Sequence, residues 1–171
     1  MKKIVLLIFL CSFTISCRAQ LGPAKGVKGI GVNGGISRYG YVMGVEYVQY
    51  FSNRFYLSLR PTLELGQYLP TSTKYRSIGM VSTVYFSLWS VKEKFYFSLG
   101  SGLSLFADRA TASEVPVSDA IKVGVNGAVE AQYYVTGALA LFATFNQNYL
   151  FTNPEWGKVR WMSNLGLRYH F

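Results

Sequence analysis

The sequence predicts an all-β chain that closes as an eight-stranded antiparallel up-and-down transmembrane β-barrel, and three observations carry that reading. Eight segments of the 171-residue chain alternate apolar and polar side chains with a period of two. Their polar faces hold Gly, Ser, Asn, Thr and Tyr with a few charges of both signs, where a surface facing water would be dense in Lys and Glu. The links between segments alternate in length. The composition agrees with strands and turns: 13 Tyr, 12 Phe and 17 Gly accompany only 15% charged residues.

The first stretch stands apart from the strands. Lys2 and Lys3 precede an apolar run from Ile4 to about Ile15, and small residues lead to Ala19, so residues 1–19 read as a secretory signal peptide and 20–171 as the barrel domain. Lipidation at Cys17 is the competing reading, weakened by Thr14 where a lipobox usually has Leu. A lasting helical anchor would be short for a span. Cys11 and Cys17 both lie in this leader, so cleavage after Ala19 would leave no cysteine. Losing Lys2, Lys3 and Arg18 would lower the formal charge from +9 to +6.

The eight segments then follow. Gly26–Ile36 is glycine-rich; Gly29, Gly31 and Gly35 are small inward positions that let a sheet curve. Tyr41–Phe51 carries Glu46 on its polar face. Phe55–Tyr68 sets Phe55, Leu57, Leu59, Pro61, Leu63 and Leu65 against Arg60 and Glu64. Tyr75–Ser90 places Arg76 on the apolar side, near an outer rim where its head can snorkel. Phe95–Phe106 comes fifth. Ile121–Tyr134 alternates Ile121, Val123, Val125 and Val129 with Lys122, Asn126 and Glu130. Ala138–Phe151 is seventh, and Val159–Phe171 opposes Leu165, Leu167, Tyr169 and Phe171 to Arg160, Asn164, Arg168 and His170. At 11 to 16 residues each is long enough to cross a bilayer, which needs about 9–11.

Three links are short ("SNR", "VKEK", "VTG") and three longer ("LPTSTK", "ADRATASEVPVSDA", "TNPEWGK"). With both termini in the periplasm, all lie on the side expected of a bacterial barrel except the first, "SRYG". Aromatics gather at two levels: Phe51, Phe55, Trp89, Phe95, Tyr133, Tyr169 and Phe171 at the periplasmic rim, and Tyr39, Tyr41, Tyr75, Tyr149, Trp156 and Trp161 at the other. Asn164, Gly166, Tyr169 and Phe171 resemble the C-terminal assembly signal of outer-membrane barrels. That reading places the last strand against the first, closing the sheet.

In this orientation the interior of an eight-stranded barrel is just filled by side chains. Glu46, Glu64 and Glu130 are expected to pair there with some of Arg60, Lys122, Arg160 and Arg168. The outcome is either a packed polar plug or an ion or solute pathway, and the plug is the simpler.

Chemistry finds little support. His170 is the one histidine, with no nucleophile at a defined spacing. A processed chain with no cysteine and one histidine is a poor host for a transition metal. "GVKGIGVNGG" fits no phosphate-cradling loop. Asp108, Glu114 and Asp119 of the fifth link match no calcium loop and read as solvated. The longest basic patch, Lys92-Glu93-Lys94, gives no footing for direct nucleic-acid binding. No catalytic, cofactor-binding or metal-binding residue is expected.

Several stretches together resemble the TraO family of conjugative-transposon transfer proteins. They are the leader ending "CRAQ", "KGVKGIGVNGG", "YVMGVEYVQYF", "VGVNGAVEAQYYVTGALALFATFNQNYLF" and the closing "GLRYHF". The resemblance implies export to the cell outer membrane and a non-enzymatic structural or interaction role in a conjugative DNA-transfer apparatus. Its partners would be outer-membrane lipid and other proteins of that apparatus. The alternatives are a general small outer-membrane barrel, adhesin-like or envelope-stabilising, and an outer-membrane lipid-modifying enzyme.

Overall fold

The computed structural model describes residues 23–68, 73–110, 121–151 and 157–171. The expected leader, Glu114, Asp119 and Trp156 lie outside them. Eight strands run in chain order: β1 (Lys28–Ser37), β2 (Gly40–Tyr50), β3 (Phe55–Tyr68), β4 (Thr73–Val91), β5 (Phe95–Ala110), β6 (Lys122–Tyr134), β7 (Leu139–Leu150) and β8 (Val159–His170). Each pairs antiparallel with its neighbour, and β8 pairs back onto β1. The chain is therefore a closed eight-stranded antiparallel barrel, the fold class that the alternation predicts.

The seam that closes it runs from Gly29↔His170 to Ser37↔Met162. Lys28 and Phe171 extend it by exchanging backbone hydrogen bonds of 3.0 and 2.8 Å. Closure matters physically because an open sheet would leave a row of unpaired N–H and C=O groups that hydrocarbon cannot solvate.

Period two divides every strand between two environments, and the division is the reverse of a soluble protein's. Leu165 is 70% exposed, Leu103 60% and Val32 59%, whereas Arg168 and Asn148 are fully enclosed. Aliphatic side chains point outward all round the wall, while Glu46, Glu64, Asp108, Glu130, Arg60, Lys122, Arg160 and Arg168 point inward, which is the arrangement of a barrel dissolved in hydrocarbon. The register is held by this asymmetry. A one-residue slip of β8 would turn Arg160, Arg168 and His170 outward, and each Arg facing lipid costs about 2–4 kcal/mol at the midplane.

The wall is not of even height. β4 has 19 residues and β5 16, against 10 in β1. Two consequences differ from the sequence expectation. First, β4 begins at Thr73, which pairs with Tyr68. The link after β3 thus shrinks to residues 69–72, no longer than the link 51–54 after β2. The contrast in length survives only after β5 and β7. Second, β5 runs on past Phe106 to Ala110, paired with β4 as far as Tyr75↔Ala110. Asp108 is therefore a strand residue and buried, not a solvated loop acid. The first link is short, as the sequence reads it: β1 turns into β2 through Arg38 and Tyr39 alone. The Ser37 hydroxyl accepts hydrogen bonds from the backbone N–H groups of Tyr39 and Gly40 at 3.3 and 3.2 Å, which stabilises this shortest of links.

At the opposite end, a register shift between Ser87 and Trp89 marks a bulge in β4. Beyond it Leu88 and Trp89 are both exposed. The β4–β5 turn is made by Lys92 and Glu93 with φ of 49° and 55°, a left-handed pair closed by the Lys94 N–H donating to the Val91 carbonyl at 3.1 Å. Exposed aromatics encircle this end: Phe51, Phe55, Trp89, Tyr133, Tyr169 and Phe171. At the other end Tyr41 and Tyr149 are exposed, while the Tyr39 hydroxyl is buried.

Candidate functional site

Among the described residues the interior buries four acids and four bases, Glu46, Glu64, Asp108 and Glu130 with Arg60, Lys122, Arg160 and Arg168. They form two groups at different heights, each formally neutral.

The group nearer the chain termini is drawn from four strands: Glu46 of β2, Arg60 of β3, Glu130 of β6 and Arg168 of β8. Arg168 donates to both carboxylates, through Nη2 to Glu46 Oε2 at 2.7 Å and through Nη1 to Glu130 Oε1 at 2.9 Å. Arg60 Nη2 donates to Glu46 Oε1 at 2.6 Å and lies 3.9 Å from Glu130 Oε2. Hydroxyls take up remaining lone pairs: Ser58 donates to Glu46 at 2.6 Å and Tyr56 to Glu130 at 2.9 Å. The guanidinium of Arg168 lies 4.4 Å from the centre of the Phe142 ring. That ring can lie so near the wall because Gly166 beneath it has no side chain; a Cβ there would come within 2.5 Å of both Phe142 Cζ and the Val32 carbonyl oxygen.

Toward the termini, this group is floored by aromatic rings. Tyr50 stacks on Tyr56 at 4.7 Å and Tyr56 on Tyr85 at 5.0 Å, while His170 lies 5.7 Å from Tyr50 and 5.2 Å from Tyr134. Gln132 joins the two sides, accepting from the Tyr50 hydroxyl at 3.1 Å and meeting His170 Nε2 at 3.0 Å. All of these side chains are buried. His170 is thus a packed member of the floor.

The second group lies toward the longer links and uses Glu64 of β3, Asp108 of β5, Lys122 of β6 and Arg160 of β8. Asp108 receives Lys122 at 2.9 Å and Arg160 Nη2 at 3.0 Å. Glu64 accepts a short hydrogen bond from Ser37 and lies 3.7 Å from Arg160 Nε. Here too an aromatic ring carries the arginine: Arg160 lies 4.6 Å from the Phe106 centroid, and Phe106 packs over Gly79, where a Cβ would come within 2.4 Å of the ring.

The seven charges singled out in the sequence therefore all lie inside, distributed between these groups. The sequence reading missed Asp108 and the inward rings of Tyr50, Phe106 and Phe142. Parity would have found Asp108, since it continues the inward series Ser98, Ser104, Phe106 by one further step. Of the C-terminal residues, Asn164 is buried in the interior, Gly166 underlies Phe142, and Tyr169 and Phe171 are exposed on the outer face with ring centroids 6.5 Å apart.

What this arrangement can do is fill space and hold strands together. Each of these eight buried charges has an opposite partner within 4 Å, and ions and rings from non-adjacent strands meet across the barrel. Desolvated pairs of this kind are costly to break by removing one member. Among the described residues no cluster of three His, Cys, Asp or Glu is arranged to hold a metal ion.

No family model matches the chain, and no curated protein does. Solved structures do. The N-terminal β-barrel domain of Pseudomonas aeruginosa OprF matches with a TM-score of 0.63 at 15% identity, over 86% of this chain and 98% of that one. The outer membrane protein OprG of Pseudomonas aeruginosa gives 0.64 at 10% identity, over 88% and 98%. Neisserial surface protein A gives 0.59 at 19% identity, over 85% and 96%. At such identities the likeness is one of fold, and that fold is the small eight-stranded transmembrane β-barrel.

Proposed function

We propose that this chain is a small outer-membrane barrel, exported by its leader, that acts through its outer surface and loops and not through a pore or a catalytic centre. The observation that carries this reading is the inversion of the wall, with an aliphatic exterior around an interior of matched charges. A pathway for ions would need unfilled polar space. Here two neutral ion groups and a tyrosine floor occupy the cross-section one above another.

Within that class, the sequence resemblance supports a structural or interaction role in a conjugative DNA-transfer apparatus, with other proteins of the apparatus as partners. Deleting the coding sequence from a transferring element and restoring it in trans tests this. Transfer frequency is expected to fall on deletion and recover on complementation. An unchanged frequency would remove the conjugative role and leave a general envelope barrel.

The membrane placement has its own test. In fractionated cells the protein is expected in the outer membrane, migrating differently in detergent gels before and after boiling. Recovery in the aqueous fraction would sink it. Purified protein in planar bilayers is expected to give no recurrent unit conductance, and a reproducible channel would overturn the plug.

A further inference from the structure

Toward the longer links the outward face has a place where its rule fails. Along β4 it presents Met80, Ile78, Arg76 and Lys74, and along β5 Leu105, Ala107 and Arg109. Ile78 pairs in register with Ala107, and Arg76 pairs with Arg109. The apolar belt thus ends in one step, and the next row sets two arginines directly opposite each other on the same face. Arg76, Arg109 and Lys74 are all exposed, and among the described residues none has an acidic partner. On the other side of β4, Arg76 faces Leu65 and Lys74 faces Gln67, so β3 supplies no counter-charge either.

Like charges directly opposite on adjacent strands repel. Two guanidinium forks side by side also match the geometry of one anion with several acceptor oxygens. The height of the row supplies the anion's source, because it lies where hydrocarbon gives way to headgroups.

We propose that Arg76 and Arg109, assisted by Lys74, bind the phosphate of a lipid headgroup in the leaflet at the long-link end of the barrel, with an anionic phosphate-bearing lipid as the ligand class. The acyl chains of that lipid lie along the belt below, over Ile78, Met80, Leu103 and Leu105. This inference rests on the membrane reading above.

The test uses the full-length processed chain reconstituted into phosphatidylcholine vesicles containing a small fraction of either phosphorylated or dephosphorylated lipid A. Flotation with the vesicles comes first; failure to float removes the membrane reading and this site with it. For protein that floats, native mass spectrometry of the extracted barrel reads lipid retention. The wild type is expected to retain the phosphorylated form at least about tenfold better, the scale of one lost charge-assisted hydrogen bond. R76Q/R109Q is expected to abolish the preference. R38Q/K158Q, which removes the same number of exposed cations from the links that flank β1 and β8 at that end, is expected to keep it within about twofold. Both variants should retain the heat-dependent gel shift of a closed barrel. Equal retention of the two lipids by the wild type would overturn the site, as would equal losses in the two variants. Inorganic phosphate that displaces no lipid at millimolar concentration is expected. Saturation of the pair by free phosphate in lipid-free micelles, without lipid preference in vesicles, would assign it to a soluble ion and overturn the proposal.

Discussion

The two ion groups in the barrel have the same formal charge and the same parts, an arginine laid on a ring that is laid on a glycine, yet they are wired differently. Near the termini, Arg168 bridges two carboxylates, and Arg60 approaches the same two from the other side. Each ion has two opposite partners, and the longest pair joins residues 122 positions apart. Toward the longer links the pattern is a chain: Lys122 to Asp108 to Arg160 to Glu64, with Ser37 at its end. Removing Arg168 breaks two short pairs, at 2.7 and 2.9 Å, whereas removing Arg160 breaks one at 3.0 Å and one at 3.7 Å. The lesson is that burial and neutrality alone do not set the cost of a charge; connectivity does.

The largest effect should therefore come from Arg168. Replacing it with Met leaves Glu46 and Glu130 to share Arg60, and one buried carboxylate becomes uncompensated. A loss of about 3–5 kcal/mol is expected, the scale of a broken buried pair. Arg160→Met also leaves its group one positive charge short, but Asp108 keeps Lys122 and the contact that Glu64 loses is the longer one of 3.7 Å, so the expected loss is smaller, about 1–3 kcal/mol. Urea unfolding in detergent micelles, followed by tryptophan fluorescence, measures both. Equal losses, or a greater loss for Arg160→Met, would break the distinction between ring and chain. If the two groups act independently, the double variant should lose the sum of the single losses to within about 0.5 kcal/mol. A larger departure would show that the interior behaves as one network.

How much of this was legible in advance follows from the same comparison. The ring was open to reading because all four of its members lie in strand interiors, where period two assigns a side without ambiguity: Glu46, Arg60, Glu130 and Arg168 each have apolar neighbours at i±1. The chain was only partly legible, since Asp108 lies in a strand that continues beyond its apolar belt. Once Leu103 and Leu105 give way to Ala107 and Arg109 outside the wall, nothing greasy marks the outward positions and the alternation fades into what reads as a loop. The same fading hid the extra length of β4. Partner choice was not readable at all, because parity places a charge inside but the stagger of strands around the barrel decides which charges share a height. The rings of Phe106 and Phe142 were hidden for another reason: an inward aromatic breaks the polar pattern, and only the glycine facing it explains why it fits.

Those glycines sharpen the comparison at a lower level of energy. A Cβ at Gly166 meets a ring atom and a backbone oxygen, both at 2.5 Å, whereas at Gly79 the two nearest atoms belong to the Phe106 side chain. A ring can tilt, but a paired strand cannot step back without straining its ladder. Gly166→Ala is expected to cost about 2–3 kcal/mol and Gly79→Ala about 1–2, in the range of overpacked cores. If Gly79→Ala proves the costlier, the ring over it is held more rigidly than the wall, and Arg160 rather than backbone pairing is the fixed point.

The smallest effect lies outside both groups and calibrates them. Lys92 and Glu93 occupy the left-handed region with φ of 49° and 55°, at a turn whose side chains are exposed and touch neither ion group. Side chains with a Cβ are disfavoured there by about 1–2 kcal/mol per residue, and two-residue hairpin turns of this hand favour glycine at the second position. Glu93→Gly relieves that strain but adds freedom to the unfolded chain, so the net gain should be about 0.5–1 kcal/mol. Measured by the same urea titration, a gain should appear in the wild type and, undiminished, in both Arg168→Met and Arg160→Met, since a local turn cannot sense which pairing pattern is intact. A gain that vanished in Arg168→Met alone would mean that the ring controls the termini end of the wall as far as the β4–β5 turn, extending its reach beyond the four strands that supply its charges.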